Sequence, residues 1–368
     1  MVNFNGARYL PVTLTAVQAI RDRFTDVLLV DNGSTDYAVE DAERAFPDLT
    51  VIRLGENRGP GTARNEGLRR ARSDRILFID NDVVLHPDCP HELGAALDRN
   101  PDAVMAMARV LFADDPETVQ FDGAGSHFIG LMTLRHASTR LEPLRDAEAR
   151  RGVGVDPESG SLVSACFMTD RGRWGLEPLF DEELFLYLED HEAGLRARLL
   201  GHGVISAPAA LCYHGPGTPG ISIRETGRHT SLRVQQTILN RWQLVLKLYS
   251  LRSLLLLAPA LLLFEIFQLL GALRKGWLRE WSAAAREATR RLPSLARRRR
   301  SFQARRRLSD GAVLEGGPIP FNPATHATRL ERRARSVLDA MAAANWRLVR
   351  RALGAGRQPR SPGKAMRS

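Results

Sequence analysis

A chain of 368 residues, 44% of them hydrophobic, is long for one domain, so a large catalytic domain with an appended segment is expected. Its three cysteines, Cys89, Cys166 and Cys212, match no metal-ligand spacing, which excludes a cysteine metal motif and reads as reduced thiols in a cytoplasmic setting. The net charge of +10 is uneven: residues 271–368 hold 24 Lys and Arg against 6 Asp and Glu, net +18, leaving −8 for residues 1–270.

The chain opens Met1-Val2-Asn3-Phe4-Asn5-Gly6, already at a polar turn. A doubly wound sheet would carry its first, central strand here, so that strand is expected to be truncated and the natural start to lie upstream. Residues 1–20 lack a basic start followed by an apolar run, and no cleavable leader is expected. Val27–Val30 is a short apolar run ending at Asp31, followed by the turn Asn32-Gly33-Ser34-Thr35. Tyr37–Phe46 has helical spacing and Thr50–Leu54 reads as a strand. The loop Glu56–Gly61 leads into a helix over Ala63–Ala71, and Arg75–Ile79 is a strand ending at Asp80-Asn81-Asp82. Cys89–Arg99 is helical and Ala103–Leu111 is again a strand. This alternation predicts an α/β fold with a doubly wound, mostly parallel sheet, in which ligands bind beyond the carboxyl ends of the strands.

Residues 113–160 are loop-rich and carry little pattern. A second cluster follows, with Ser161–Phe167 as a strand, Phe185–Leu200 as a helix, and Val204–Ala207 and Ala210–His214 as short extended pieces. The tail has Arg-rich stretches and a Gly/Pro loop at Gly316–Pro323, and its last fifteen residues have the composition of disorder.

Each candidate site residue has a plain structural alternative. Asp80 and Asp82, one residue apart at a strand end, could hold Mg2+ or Mn2+ beside substrate phosphates, or could form a solvated acidic turn. Asp31 could accept from a base or ribose, or cap the turn that it begins. The loop Asn57-Arg58-Gly59 could face a phosphate at a helix start, or simply connect strand to helix. Glu189, Asp190 and Glu192 suit a general base, or offset the dipole of their helix, with Arg196 pairing Glu192. His214, before Gly215-Pro216-Gly217, could touch phosphate or metal, or be an ordinary loop histidine.

Taken in order, these segments resemble the inverting glycosyltransferases of family 2, which have the GT-A fold, and among them the bacterial rhamnosyltransferase-type members. The matching residues are Val2–Gly6, Val30–Asp36, Asn57–Gly59 with Ala63–Gly67, Phe78–Asp82, Phe185–Asp190 and Tyr213–Gly215, spanning roughly residues 1–250. The resemblance implies that Asn3, Asn5, Asp31, Asn57, Gly59, Asn65, Asp80, Arg196 and His214 surround a nucleotide-sugar donor. It implies that Asp82, with Asp80, binds Mn2+ or Mg2+ on the diphosphate, and that Asp190, beside Glu189, deprotonates the acceptor hydroxyl. The family has a second Asp two residues after this Asp; here Glu192 stands there, and His191 is unusual.

Leu254–Phe264 is uninterrupted apolar sequence but only eleven residues long, and extension to Leu273 takes in Glu265, Gln268 and Pro259. Such a run suits helices lying on or dipping into a leaflet better than a span, and a core helix is the alternative. A single span would also place the basic tail outside, against the positive-inside tendency. The expected organisation is a GT-A domain over 1–245, membrane-associated helices over 246–282 and a basic, partly disordered tail over 283–368. The partners expected are a nucleotide-diphosphate sugar, a glycan or lipid-linked acceptor in cell-surface polysaccharide synthesis, and the anionic cytoplasmic face of the cell membrane. Nucleic acid has only the tail's charge in its favour. The alternative function is a catalytically inactive relative that binds nucleotide sugar or scaffolds a membrane assembly.

Overall fold

The structure is a computed structural model that describes residues 1–151, 155–175, 178–217, 229–321 and 328–354. Its first part runs β1 (Val2–Asn3), α1 (Leu10–Gln18), β2 (Val27–Asp31), α2 (Ala38–Ala45), β3 (Leu49–Arg53), α3 (Pro60–Arg70), β4 (Arg75–Ile79), β5 (Val83–Leu85), α4 (Cys89–Arg99) and β6 (Ala103–Phe112). The middle holds β7 (Thr118–Phe121), β8 (Ala124–His127), β9 (Leu131–Leu134), β10 (Thr139–Arg140), α5 (Leu141–Arg151), β11 (Cys166–Asp170), α6 (Arg171–Trp174), α7 (Glu189–Leu199) and β12 (Gly203–His214). Then follow α8 (Ser231–Leu248), α9 (Leu251–Lys275), α10 (Leu278–Arg305), α11 (Asp310–Val313), β13 (Leu314–Glu315) and α12 (Arg329–Val349).

Strands β1, β2 and β3 pair in parallel, as an alternation of apolar runs and helices requires. Pro60 at the start of α3 and Pro90 in the first turn of α4 sit where a missing N–H costs nothing. The larger sheet is mixed. β11 lies antiparallel between β4 and β6, and β12 pairs parallel with β6 and antiparallel with β5. An isolated bridge between Val2 and Asp80 joins the two sheets, so the ends of β1, β2 and β4 stand side by side.

β1 supplies only two residues to this junction. Met1 accepts from the Val30 amide at 2.9 Å, and its own amino group donates to Leu28 O at 2.9 Å. Towards the amino ends of β2 and β4 the sheet gapes around a cavity of about 900 Å3, lined by apolar side chains such as Val17, Val27, Leu28, Leu77 and Phe78. This larger cavity lacks the acidic residues and histidine singled out above.

The second part departs from the sequence reading in detail. Residues 113–151, which carry little pattern, hold four short strands and α5. The strand expected from Ser161 begins at Cys166, because the amide of Ser161 bonds to Ala124 O at 3.2 Å and that of Ser164 to Asp190 at 3.4 Å instead of joining the ladder. The two extended pieces after Val204 are one strand, β12, with a register shift between Ala207 and Leu211 around Pro208, which has no N–H to give. The helix expected from Phe185 begins at Glu189, after a turn with left-handed Tyr187 and Leu188.

Cys89, Cys166 and Cys212, distant in sequence, meet in the core between α4 and the sheet. Cys89 Sγ and Cys166 Sγ are 3.9 Å apart. Thiol–thiol hydrogen bonding pushes Cys89 and Cys166 up, and burial pushes Cys212 up, so these thiols stay protonated and inert.

The basic C-terminal segment is largely helical and folds back on the acidic body. α10 packs along α8, and Arg298 binds Asp181 and, at 2.8 Å, Glu183. α9 packs against α12, and one apolar cluster joins α7, α8, α9 and α12 through Leu199, Leu244, Phe264 and Trp346. Charge of opposite sign in body and tail is thus partly cancelled across their contact. Residues 355–368 lie outside the described residues.

Candidate active site

A cavity of about 560 Å3 opens where β1, β2 and β4 end, lined by Asn32, Asn57, Arg64, Asp80, Asp82 and His214 among others. Its rim is built by side chains that bind loop backbone. Asn3 is fully buried, donates to Ser34 Oγ at 3.1 Å and accepts from Asn81 Nδ2 at 2.8 Å. Asn5 Oδ1 accepts from the Thr35 amide at 2.7 Å, and Asp31 Oδ1 accepts from the Ser34 amide at 3.1 Å. Asn57 accepts from Asn32 Nδ2 at 2.9 Å and from the Gly59 amide at 3.0 Å. Gly59 has φ +85° and lies so close to Phe185 that a Cβ would stand 2.0 Å from its carbonyl oxygen. Asn3, Asn5, Asp31 and Gly59 therefore shape the two loops, while Asn57 also lines the cavity.

Asp80, Asp82 and His214 converge although 134 residues separate the first from the last, with ligand atoms all within 4.8 Å of one another. His214 Nε2 is 3.2 Å from Asp82 Oδ1, and its Nδ1 is 2.7 Å from Gln120 Oε1. An Nδ1–H donated to Gln120 turns the Nε2 lone pair towards the aspartates, which is the tautomer a metal-binding histidine needs. One nitrogen and carboxylate oxygens suit Mn2+ or Mg2+, with phosphate and water completing the shell.

Arg64 joins this cluster to the acids of α7. It is buried; its Nη2 donates to Asp80 Oδ1 at 2.6 Å and its Nη1 lies 3.5 Å from Glu189 Oε1. Glu189 lines the cavity, and its Oε2 has no hydrogen-bond partner among the described residues. Burial, reinforced by neighbouring Asp190, pushes the Glu189 carboxyl up to about 8. Asp190 is half-buried and accepts from the amides of His191 at 2.7 Å and Ser164 at 3.4 Å; burial raises it as well. Two neighbouring carboxyls share ionisation unequally, and the more buried Glu189 keeps its proton longer.

The preceding turn aims both acids. Tyr187 (φ +67°) and Leu188 (φ +64°) are left-handed, a conformation that costs about 1–3 kcal/mol at each non-glycine residue. Asn240 of α8 holds them there, its Nδ2 donating to Leu186 O at 2.9 Å and Tyr187 O at 2.8 Å. Arg233 of the same helix lies 4.4 Å over the Tyr187 ring, and both line the cavity.

Two expected donor-binding residues stand elsewhere. Asn65 is buried with its amide spent on Phe180 N and O and on Glu182, so it fastens α3 to the 178–182 segment. Arg196 donates to Glu192 and, at 2.7 Å, to Leu179 O, and lies over Trp174. The departures at 191 and 192 also point away from the cavity. His191 Nδ1 is 2.6 Å from Ser161 Oγ, and burial brings its ring down to about 3, so it is neutral. Glu192 is fully buried between Arg196 and Lys247 Nζ, the latter at 2.7 Å. The residues missed in sequence are Arg64, Gln120, Arg233 and Asn240. Arg64 alone carries a local signal, as the neighbour of Asn65 in Ala63–Gly67.

A mixed α/β sheet with acidic residues at its strand ends and helices on both sides is the GT-A fold. The crystal structure of GalNAc-T7 with UDP, GalNAc and Mn2+ is similar, with a TM-score of 0.50 and 15% identity over 66% of this chain and 46% of that one. Residues 1–150 match the sequence model of glycosyl transferase family 2, and the chain carries a family 2 glycosyltransferase domain. It is 27% identical over 237 residues to N-acetylglucosaminyl-diphospho-decaprenol L-rhamnosyltransferase of Mycobacterium tuberculosis, covering 58% of this chain and 74% of the relative. It is 27% identical over 217 residues to poly-beta-1,6-N-acetyl-D-glucosamine synthase of Staphylococcus aureus, where the match covers 57% of this chain and about half, 47%, of the relative.

Proposed function

We propose that this protein transfers a sugar from a nucleoside-diphosphate sugar to an acceptor hydroxyl with inversion, at the cytoplasmic face of a membrane. The convergence of Asp80, Asp82 and His214 beside Glu189 and Asp190 carries the reading. Asp190 takes the proton of the acceptor hydroxyl. The oxygen bonds to the anomeric carbon as the bond to the diphosphate breaks on the opposite face, so configuration inverts. Glu189, still protonated, leaves Asp190 as the ionised base. Arg64 holds Asp80 in place and offsets charge on both sides of the reacting centre. Asp80, Asp82 and His214 would hold a divalent ion, which when bound neutralises charge on the departing diphosphate.

The rhamnosyltransferase relative supports a deoxyhexosyl donor and a lipid-linked acceptor. Both relatives named above support a role in cell-surface polysaccharide synthesis. The test is a thermal-shift and turnover screen of nucleoside-diphosphate sugars, including rhamnose, with Mn2+ or EDTA. Stabilisation by one donor with Mn2+, and turnover lost in EDTA, is the expected result. Binding without turnover on any lipid-linked or glycan acceptor would favour an inactive relative.

A further inference from the structure

The outward face of α9 runs Leu251, Leu255, Pro259, Leu262, Ile266, Leu270 and Leu273, in steps of three and four residues. The six leucine and isoleucine side chains are 52–67% exposed, and the stripe contains no polar residue. At 1.5 Å per residue it is about 33 Å long. An ordinary surface helix is polar on this side. Beside this stripe charge appears only at the ends of the helix, as Arg252 and as Arg274 with Lys275, and the mid-helix Glu265 is turned to the protein.

The opposite face of α9 is bonded to protein. Asp310 accepts from the Ser250 amide at 2.9 Å and from Ser253 Oγ, and Trp242 Nε1 donates to Glu265 Oε2 at 2.9 Å. Arg241, buried, also pairs Glu265, and Leu257, Ala260 and Phe264 are buried. The helix is long and apolar enough to cross a membrane, but crossing would strip these partners and carry Glu265 into hydrocarbon. A left-handed Gly276 turns the chain into α10, with Lys275 5.5 Å over the half-buried Trp277 at the turn. α10 then exposes Arg279, Arg286, Arg297 and Arg300 along its length.

We infer that the apolar face of α9 and the exposed arginines of α10 together dock on an anionic lipid bilayer, with α9 lying in the plane of the leaflet. Apolar side chains enter the acyl boundary, and guanidinium groups meet lipid phosphates. A second copy fits less well, because pairing through α9 would bring two like-charged arginine rows together. The inference deepens the membrane placement proposed above. Vesicle binding needs no turnover, so it and the transferase chemistry fail separately.

The full chain is floated with vesicles of phosphatidylcholine alone or with phosphatidylglycerol, at low and high salt. Partition onto the anionic vesicles, weakened by salt, is expected. Leu262→Glu with Ile266→Glu should lower it at least tenfold. Arg286→Glu with Arg297→Glu should remove the preference for phosphatidylglycerol, with thermal unfolding and donor binding unchanged in both variants. Arg252→Cys and Lys275→Cys, read against three buried native thiols, should both react with an impermeant maleimide added outside sealed vesicles. Labelling of one end only would overturn the in-plane placement. Equal binding to both vesicle types, or a dimer in solution dispersed by the Leu262 variant, would overturn the docking surface.

Discussion

His214 Nε2 faces Asp82 Oδ1 across 3.2 Å, and Gln120 fixes the ring from its other side. A lone pair so close to a carboxylate oxygen is repulsive unless a proton or a cation stands between them. Asp82→Ala and His214→Ala should therefore each abolish Mn2+-dependent binding of nucleoside diphosphate, with the fold retained. Gln120→Leu should weaken Mn2+ affinity by about 10- to 100-fold, the usual effect of losing an orienting partner. Titration of Mn2+ by calorimetry checks both. Unaltered affinity in the Gln120 variant would separate that residue from the metal.

Asp190 and Glu192 are two residues apart and predict opposite phenotypes. Asp190→Asn keeps shape and removes basicity, so kcat should fall by about two to four decades while donor affinity persists. Glu192→Gln instead breaks a fully buried ion network with Arg196 and Lys247, and should cost about 3–5 kcal/mol in urea unfolding. A stable but inactive Glu192 variant would reverse the assignment.

The contrast shows what the sequence made legible. The runs ending at Asp31 and Asp80 announced strand ends, and those ends hold the cavity. Neighbours on a helix, however, point about 100° apart, and spelling alone does not say which faces inward. Hence Arg64 reaches the site while Asn65 clamps Phe180, and Glu189 lines the cavity while His191 enters the core. Gln120 was hidden for another reason. It sits on a four-residue strand where local pattern is weak, and the histidine that it orients lies 94 residues further along the chain.

The raised Glu189 carboxyl gives a pH prediction with a definite sign. In the folded protein it keeps its proton up to about 8, whereas the unfolded chain releases it near 4.5. The folded state thus binds more protons across that window, and the contribution of Glu189 to stability falls as pH rises through it. Glu189→Gln removes the effect. Measured in EDTA, the variant should gain on the parent by on the order of 1 kcal/mol per pH unit between pH 5 and 8. A constant difference over that range would show that Glu189 ionises normally.

The turn before Glu189 is the last point at which sequence and geometry disagree. Neither Tyr187 nor Leu188 favours a left-handed backbone, yet both adopt one, and the two hydrogen bonds from Asn240 hold the carbonyls of Leu186 and Tyr187. Asn240→Ala should let the turn relax and move the start of α7, displacing Asp190 relative to the donor. A misplacement of about 1 Å costs on the order of 100-fold in rate, so kcat should fall by about 10- to 100-fold. The donor KM should barely change, because Asn32 and Asn57 hold the donor loops independently. Leu188→Asn in the Asn240→Ala background should recover part of the rate, since asparagine tolerates this conformation better than leucine. A merely structural role for Asn240 would lower stability without that recovery. Steady-state kinetics of the parent, the single variant and the double variant, with unfolding curves for each, decide between them.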